Sequence, residues 1–321
     1  MLTSDQIVER RSGIGATDIS AILGINPYKT ALKVYKEKID TTSAEDLAGK
    51  QEEYTKEQLR RMRFGSFAED YILDVWNEEH AHEEVKAVKD DRLFRHPNYK
   101  YIISHIDASV CGAPLLLEFK SVDSLYFRDK SAWDENLNII PVNYLVQCAH
   151  ERLVYSLDTG NDIESVLLVA CVGSSGNIVE FRYDKNGALE SKILEACHKF
   201  WRNVENRIEP ECMTYEDAID KFWDTCPEAI VATHEHQEML QCAKKLQEEI
   251  KRLEQEQDKI KAKIGEIMGH NEVLVSTDGK PLVTWKKQKS SRFDIGLVKS
   301  KMPDMYHKFI KETESRVMRI K

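Results

Sequence analysis

The sequence predicts an α/β (α+β) protein in which a β-sheet is preceded and followed by helices, with an additional C-terminal arm. Three features predict it: a β-hairpin within residues 101–121, two further strands and a long helix before residue 210, and a heptad-like run over residues 233–268. We therefore expect three regions. They are a core at residues 1–210, a helical linker with a coiled-coil segment at 211–270, and a β-hairpin with a basic helical tail at 271–321.

Composition excludes several classes of protein. Of the 321 residues, 41% are hydrophobic and 31% are charged, which is typical of a protein with an apolar core and a hydrated surface. No apolar run reaches membrane-spanning length, and no signal-peptide pattern is present, so we expect a cytoplasmic protein without a membrane partner. The seven cysteines include no Cys-x-x-Cys pair, which argues against zinc, an iron–sulfur cluster or a disulfide framework.

The predicted hairpin carries the clearest chemical signal. Its first strand, at residues 101–109, contains Asp107, and its second, at residues 115–121, contains Glu118 and Lys120. Because strand side chains alternate between faces, Glu118 and Lys120 share one face, and the turn returns Asp107 to their side. Two neighbouring carboxylates suit a hard divalent cation, and an amine beside them can position or deprotonate water or stabilise phosphate charge. Ordinary cross-strand charge pairing is the alternative.

A second candidate feature lies near the N-terminus. Small residues around Gly13 and Gly15 lead into a helix that starts near Asp18, with Arg10 or Arg11 beside it. Free N–H groups at a helix N-terminus, with an arginine nearby, can bind phosphate. An ordinary capped turn would have the same sequence.

Two predicted helices carry polar side chains of interest. Glu69 lies in a helix after the Phe-Gly-Ser-Phe segment, where it either neutralises the helix dipole or reaches the carboxylates of the hairpin. Gln147 lies in a strong helix at residues 142–157, where it is either a hydrogen-bonded core residue or a group that orients water or phosphate.

The C-terminal region differs from the core in charge and periodicity. Residues 286–321 contain eleven lysines and arginines against four acids, although the whole chain has a net charge of −9. A turn at Asp278-Gly279 predicts a hairpin, and aromatic residues among the lysines could stack on bases or anchor the tail to the protein. Apolar residues spaced by threes and fours predict a coiled coil or helical hairpin: Leu240, Ala243, Ile250, Leu253, Ile260, Ile264 and Ile267.

Four motifs in order resemble those of a known family. The sequence over roughly residues 8–185 resembles the YqaJ-type viral recombinases, which are grouped with lambda exonuclease in the PD-(D/E)xK nuclease superfamily. The resemblance implies a restriction-endonuclease-like core with a central mixed sheet flanked by helices. The motifs are RSGIGATDISAILGINPY, FGSFAED, HID followed by LLLEFKS, and YLVQCAH.

The resemblance also implies an activity and a cofactor. The implied activity is exonuclease digestion of linear double-stranded DNA from 5′ to 3′, which leaves 3′ single strands for recombination with a single-strand annealing protein. Two Mg²⁺ ions, or Mn²⁺ in their place, would be held by Asp107, Glu118, the Phe119 carbonyl and Glu69. A homo-oligomer acting in the cytoplasm of a bacterial host is also implied.

The remaining roles follow from the same resemblance. Lys120 would activate the attacking water, Gln147 would help to orient it, and Arg11 with Thr17 would bind a DNA phosphate. Two positions depart from the family pattern, because Ile106 replaces the usual proline and Ala108 the usual glycine. Two other functions stay open: an endonuclease of the same superfamily, and an inert nuclease fold that binds DNA or a partner.

Overall fold

The computed structural model describes residues 4–43, 55–83, 85–173 and 176–320. The chain divides into two compact units, Met1–Lys221 and Phe222–Lys321. Among the described residues, no helix combines the length and apolar character that crossing a membrane requires.

A five-stranded mixed sheet forms the centre of the first unit, which confirms the predicted α/β fold. Its order is β1-β4-β5-β6-β7, and every neighbouring pair is antiparallel except β5 and β6, which are parallel. A short separate pair is formed by β2 and β3. The strands are β1 (Lys86–Lys89), β2 (Phe94–Arg95), β3 (Ile103–Ser104), β4 (Ala108–Cys111), β5 (Leu115–Val122), β6 (Ser165–Val172) and β7 (Ile178–Asp184).

Helices flank this sheet on both faces. Parallel strands need a crossover connection, and here the chain passes from β5 to β6 through two helices, α5 and α6. The helices of the unit are α1 (Ser4–Arg11), α2 (Ala16–Ile22), α3 (Ala31–Ile39), α4 (Lys56–Glu79), α5 (Ser124–Phe127), α6 (Val142–Thr159), α7 (Gly187–Glu205) and α8 (Tyr215–Lys221).

The alternation of β5 fixes which side chains face which layer. Leu116 packs in the larger core, which includes residues of α2, α6 and α7, whereas Leu117 and Phe119 pack with Ile72 and Trp76 of α4. Residues at even positions of β5 therefore face the α6 layer, and odd positions face α4. This alternation places Glu118 on the same face as Leu116.

The predicted first strand at 101–109 is wrong in its extent. Residues 103–104 pair with β2, and a new strand, β4, begins only at Ala108. The reason is a non-local contact: Ile14 forms a parallel bridge with Ile102, which holds this part of the chain away from the central sheet. Asp107 therefore lies in the connection immediately before β4.

Gly13 makes that bridge sterically possible. The Ile14 N–H donates to the Tyr101 carbonyl over 2.6 Å, and a Cβ on Gly13 would lie 2.6 Å from the same oxygen. We expect Gly13→Ala to lower the free energy of unfolding by about 1–3 kcal/mol, because the two segments would have to separate. Urea denaturation measures the change. Gly187→Ala is the control, since nothing lies within 4 Å of its added methyl group; equal effects of the two substitutions would contradict the packing argument.

The second unit contains one long helix, a hairpin and two short helices. The predicted hairpin is confirmed, because β8 (Val273–Val275) and β9 (Pro281–Thr284) pair antiparallel, and Gly279 in their turn has φ +81°. The predicted basic helix of the tail consists of two short helices. The helices are α9 (His234–Met268), α10 (Ile295–Lys301) and α11 (Pro303–Phe309).

Candidate active site

Asp107 and Glu118 meet where β4 and β5 pair. The register joins Ala108 to Leu117 and Ser109 to Leu116, so the residues one step further, Asp107 and Glu118, lie side by side. The Asp107 carboxylate accepts a hydrogen bond from the Phe119 N–H over 2.7 Å. This backbone contact holds Asp107 against β5, where the charge of Glu118 acts on it.

Glu118 is the centre of a buried polar chain. Its Oε1 accepts hydrogen bonds from the Lys120 Nζ and from the Gln147 Nε2, the latter over 2.5 Å. Gln147 also donates to Glu151 Oε1 over 2.8 Å, one turn further along α6. The Lys120 Nζ donates to the Phe119 carbonyl over 3.3 Å. Gln147 therefore links the α6 layer to the carboxylates of β5.

Burial and mutual repulsion perturb the titration of this cluster. The pKa of Asp107 is raised well above its usual value by burial and then by the charge of Glu118, and the pKa of Glu151 is raised for the same two reasons. Burial alone would lower the pKa of Lys120, but the charges of Glu118 and Asp107 outweigh it and raise that pKa. Lys120 is therefore a charged ammonium group that lies against the carboxylates.

A cleft of about 1010 Å³ opens beside this cluster. Glu69 of α4 and Lys120 both line it, and the pKa of Glu69 is raised by burial despite the nearby charge of Lys89. Arg60 and Arg61, from the first turns of the described part of α4, line the same cleft. The sequence interpretation did not single out these arginines, although the basic run before the FGSFAED motif was the available signal.

The donor atoms present fit a hard divalent cation. Asp107 and Glu118 are neighbours across the β4–β5 pair, and the carbonyl of Phe119, the residue after Glu118, accepts a hydrogen bond from Lys120. Oxygen atoms of this kind are the ligands of Mg²⁺, which commonly takes one or two carboxylates and keeps several waters. Among the described residues, no three carboxylate, imidazole or thiol side chains come together as a metal-binding group, so Glu69 is not assembled with the other two.

The contacts of Arg11 and the position of Thr17 do not involve the Asp107 and Glu118 carboxylates. The Arg11 guanidinium forms an ion pair with Asp40 at 2.6 Å and donates to the Thr42 carbonyl over 2.8 Å. Thr17 is exposed in α2. Arg11 would have to exchange its contact with Asp40 for a contact with phosphate, and the phosphate role of both residues stays a prediction.

Asp18 of the same N-terminal motif has a structural role. Its carboxylate is buried and forms ion pairs with Lys38 at 2.6 Å and Lys29 at 3.0 Å. Burial acts to raise its pKa, but the two lysines outweigh burial and leave the pKa below its usual value. The ion pairs therefore tie the start of α2 to α3 and the segment before it.

Asp18→Asn is expected to lower the free energy of unfolding by about 1–3 kcal/mol at pH 7, because Lys38 stays buried without its counter-charge. A carboxyl with a lowered folded-state pKa stabilises the protein above its unfolded pKa of about 3.9 and loses this effect as pH falls through the folded pKa. The difference in the free energy of unfolding between wild type and Asp18→Asn should therefore become smaller in acid. Urea denaturation at several pH values measures this difference, with Asp184→Asn at an exposed position as the control. A difference that does not change with pH would contradict this interpretation.

Comparisons with known proteins show what the chain is similar to. Residues 8–161 match the model of the YqaJ-like viral recombinase domain. The chain is 24% identical over 327 residues to a protein of Bacillus subtilis (strain 168) described as the uncharacterized protein YqaJ, covering 100% of this chain and 95% of that protein.

Solved structures of exonucleases are among the proteins similar to this chain. An alkaline exonuclease (LHK-Exo) from Laribacter hongkongensis has a TM-score of 0.47 and 15% identity, covering 64% of this chain and 95% of the other. A putative exonuclease from Eubacterium rectale has a TM-score of 0.42 and 11% identity, covering 72% and 96%. The residues that match the model of the YqaJ-like viral recombinase domain, 8–161, include the Asp107, Glu118 and Lys120 cluster, so this part of the chain is similar to that domain.

Proposed function

We propose that this protein is a metal-dependent deoxyribonuclease that degrades linear double-stranded DNA from its ends. The observation that carries the proposal is the meeting of Asp107, Glu118 and Lys120 at one end of the β4–β5 pair, beside an open cleft. Two carboxylates and an ammonium group at a cleft are suited to hydrolysis of a phosphodiester with a divalent cation. The similarity of residues 8–161 to a viral recombinase domain favours DNA as the substrate.

Asp107, Glu118 and the Phe119 carbonyl would hold the cation, which we propose to be Mg²⁺, with Mn²⁺ as a substitute. Glu69, which lines the same cleft as Lys120, would contribute to a second ion. When bound, the ions would polarise a water molecule and neutralise charge on the scissile phosphate and the leaving 3′-oxygen. The Phe119 N–H keeps Asp107 in position, and Gln147 does the same for Glu118.

Lys120 would act as a positive charge at the phosphate. The charges of Glu118 and Asp107 raise the pKa of its amine, so Lys120 is an ammonium group that donates hydrogen bonds to its neighbours. With cations on these carboxylates, Lys120 would also position and activate the attacking water. The Lys120 side chain is 20% exposed, which leaves the ammonium group accessible from the cleft. Arg60 and Arg61 on the cleft wall would hold flanking phosphates.

The biological setting follows from the family. We propose that digestion proceeds from 5′ to 3′ and leaves 3′ single strands that a single-strand annealing protein would use in recombination. Action in the cytoplasm of a bacterial host is part of the same proposal. An endonuclease of the same superfamily and an inert DNA-binding module are the competing functions, and they differ in their need for DNA ends and for metal.

Digestion of matched DNA substrates tests the proposal. The wild-type protein is incubated with a linear duplex or a covalently closed circle of the same sequence, each with Mg²⁺ or with EDTA. We expect loss of the linear DNA alone, and only with the metal; duplexes labelled at one 5′ or one 3′ end then report the polarity. Cutting of the closed circle would favour the endonuclease. Binding of DNA without cleavage under Mg²⁺ and Mn²⁺ would favour the inert module.

A further inference from the structure

The segment after the β8–β9 hairpin carries an excess of positive charge. Residues 286–321 contain eleven lysines and arginines against four acids, although the whole chain has a net charge of −9. The three lysines within residues 286–289 form no ion pair inside the described part of the chain, whereas Lys280 of the hairpin pairs with Asp278 at 2.9 Å. Because no acid is bound to these lysines, their charge is available to an anionic partner.

An exposed aromatic residue lies directly before these lysines. The backbone N–H of Trp285 donates to the Glu272 carbonyl over 2.8 Å, and one edge of its indole ring lies against Gly265 of α9. These contacts hold the ring in place, but 58% of the residue is still exposed. Trp285 therefore presents an aromatic surface of defined position beside the lysines.

The two short helices that follow combine the same two types of side chain. The Lys299 ammonium group of α10 lies 5.5 Å from the centre of the Tyr306 ring of α11. Phe293, before α10, is 77% exposed, and Phe309, at the end of α11, is 73% exposed. Exposed rings set among cations are typical of surfaces that bind single-stranded nucleic acid, where bases stack on the rings and phosphates lie against the cations.

We propose that residues 285–309 form a binding surface for single-stranded DNA, on a different unit from the candidate active site. The lysines would contact phosphates, and Trp285, Phe293 and Phe309 would stack on bases. The bases of a duplex already stack on each other, and a lipid surface offers phosphate without bases, so unpaired bases are what the exposed rings fit. The choice of DNA over RNA rests on the proposed function, since exonuclease digestion of a duplex leaves a single strand.

Binding of a fluorescent oligothymidylate of about 30 nucleotides to the full-length protein tests the phosphate contacts. The measurement is made in EDTA, so that no cleavage enters it. In about 0.1 M salt, removal of three contacts should weaken binding about 100-fold. The plot of log affinity against log salt should also become shallower by about 2, because each single-strand contact contributes about 0.7 to this slope. The variant is Lys286→Gln with Lys287→Gln and Lys289→Gln.

A second triple variant is the matched control. It makes the same charge change at exposed positions of α9 and should bind as the wild type does. Its substitutions are Lys244→Gln, Lys245→Gln and Lys251→Gln. Both triple variants are also compared with Arg60→Gln and Arg61→Gln added, which weakens any binding of the strand by the cleft that these arginines line. The effect of the lysines within residues 286–289 should persist in that background.

Two substitutions at Trp285 test the stacking of bases. Trp285→Leu keeps an apolar side chain against Gly265 but removes the aromatic face, and it should weaken binding at least about fivefold. Trp285→Phe keeps an aromatic face and should restore most of the affinity. Neither substitution changes a charge, so both should leave the dependence of affinity on salt as it is in the wild type.

Any of three results would overturn the proposal. The first is unchanged affinity and salt dependence when the lysines within residues 286–289 are replaced. The second is equal binding by the Trp285→Leu and Trp285→Phe proteins. The third is binding to a duplex of the same length, or to phosphatidylserine vesicles, that the oligothymidylate does not displace. A wild-type protein that binds the strand but cuts no DNA would contradict only the proposed function, so the two failures are distinguishable.

Discussion

Asp107→Asn is expected to reduce DNA cleavage by about 10²–10³-fold without unfolding the protein. The substitution removes one of the two negative charges that would hold the cation, but the amide oxygen can still accept the hydrogen bond from the Phe119 N–H. Asp107 is also repelled by Glu118, so its replacement should not lower the melting temperature in EDTA. Rates of duplex digestion and thermal denaturation of the same samples measure both effects.

Asp74→Asn is the control for this substitution. It makes the same chemical change at an exposed position of α4, outside the cluster, and should leave both cleavage and melting temperature unchanged. Wild-type cleavage by the Asp107→Asn protein would show that the carboxylate is not needed and would reject the proposed cation site. A large drop in melting temperature would instead assign Asp107 a structural role.

Arg152→Met is expected to produce the largest loss of stability, about 3–5 kcal/mol in the free energy of unfolding. Arg152 of α6 is buried and forms two hydrogen bonds of 2.6 Å with Glu190 of α7, and it also donates to the Ile163 carbonyl over 2.7 Å. Its removal leaves the Glu190 carboxylate buried without a counter-charge. Urea denaturation of the full chain measures the loss.

Two further variants separate the ion pair from the loss of side-chain packing. Arg182→Met breaks a surface pair with Asp184, in which the arginine side chain is 53% exposed, and should change stability by less than about 0.5 kcal/mol. The double variant Arg152→Met with Glu190→Met removes both charges and should recover much of the loss. If Arg152→Met and Arg182→Met lowered the free energy of unfolding by the same amount, burial would not determine how much an ion pair contributes to stability.

The chemical core of the site was predictable because it depends on local rules. Period-two alternation along a strand places Glu118 and Lys120 on one face whatever the rest of the fold does. A short turn between two apolar segments then returns Asp107 to Glu118. Gln147 was predictable as a polar residue in an apolar helix, and its contact with Glu118 over 2.5 Å shows where it points.

Features that depend on distant residues were not predictable. The bridge between Ile14 and Ile102 joins segments far apart in sequence, and it shortens the predicted first strand. Arg11 pairs with Asp40, 29 residues away, and no local pattern indicates this partner. Tertiary packing determines such pairings, and local propensity and periodicity give no information about it.

Cleavage of a linear duplex by the Lys120→Ala protein tests the proposed chemistry most directly. Wild type, Lys120→Ala and the control Lys192→Ala, an exposed lysine of α7, are compared with Mg²⁺ while DNA binding is measured in the same samples. We predict that Lys120→Ala still binds DNA but does not degrade it, and that Lys192→Ala behaves as wild type. Degradation by Lys120→Ala at the wild-type rate would contradict the assignment of this cluster as the nuclease site.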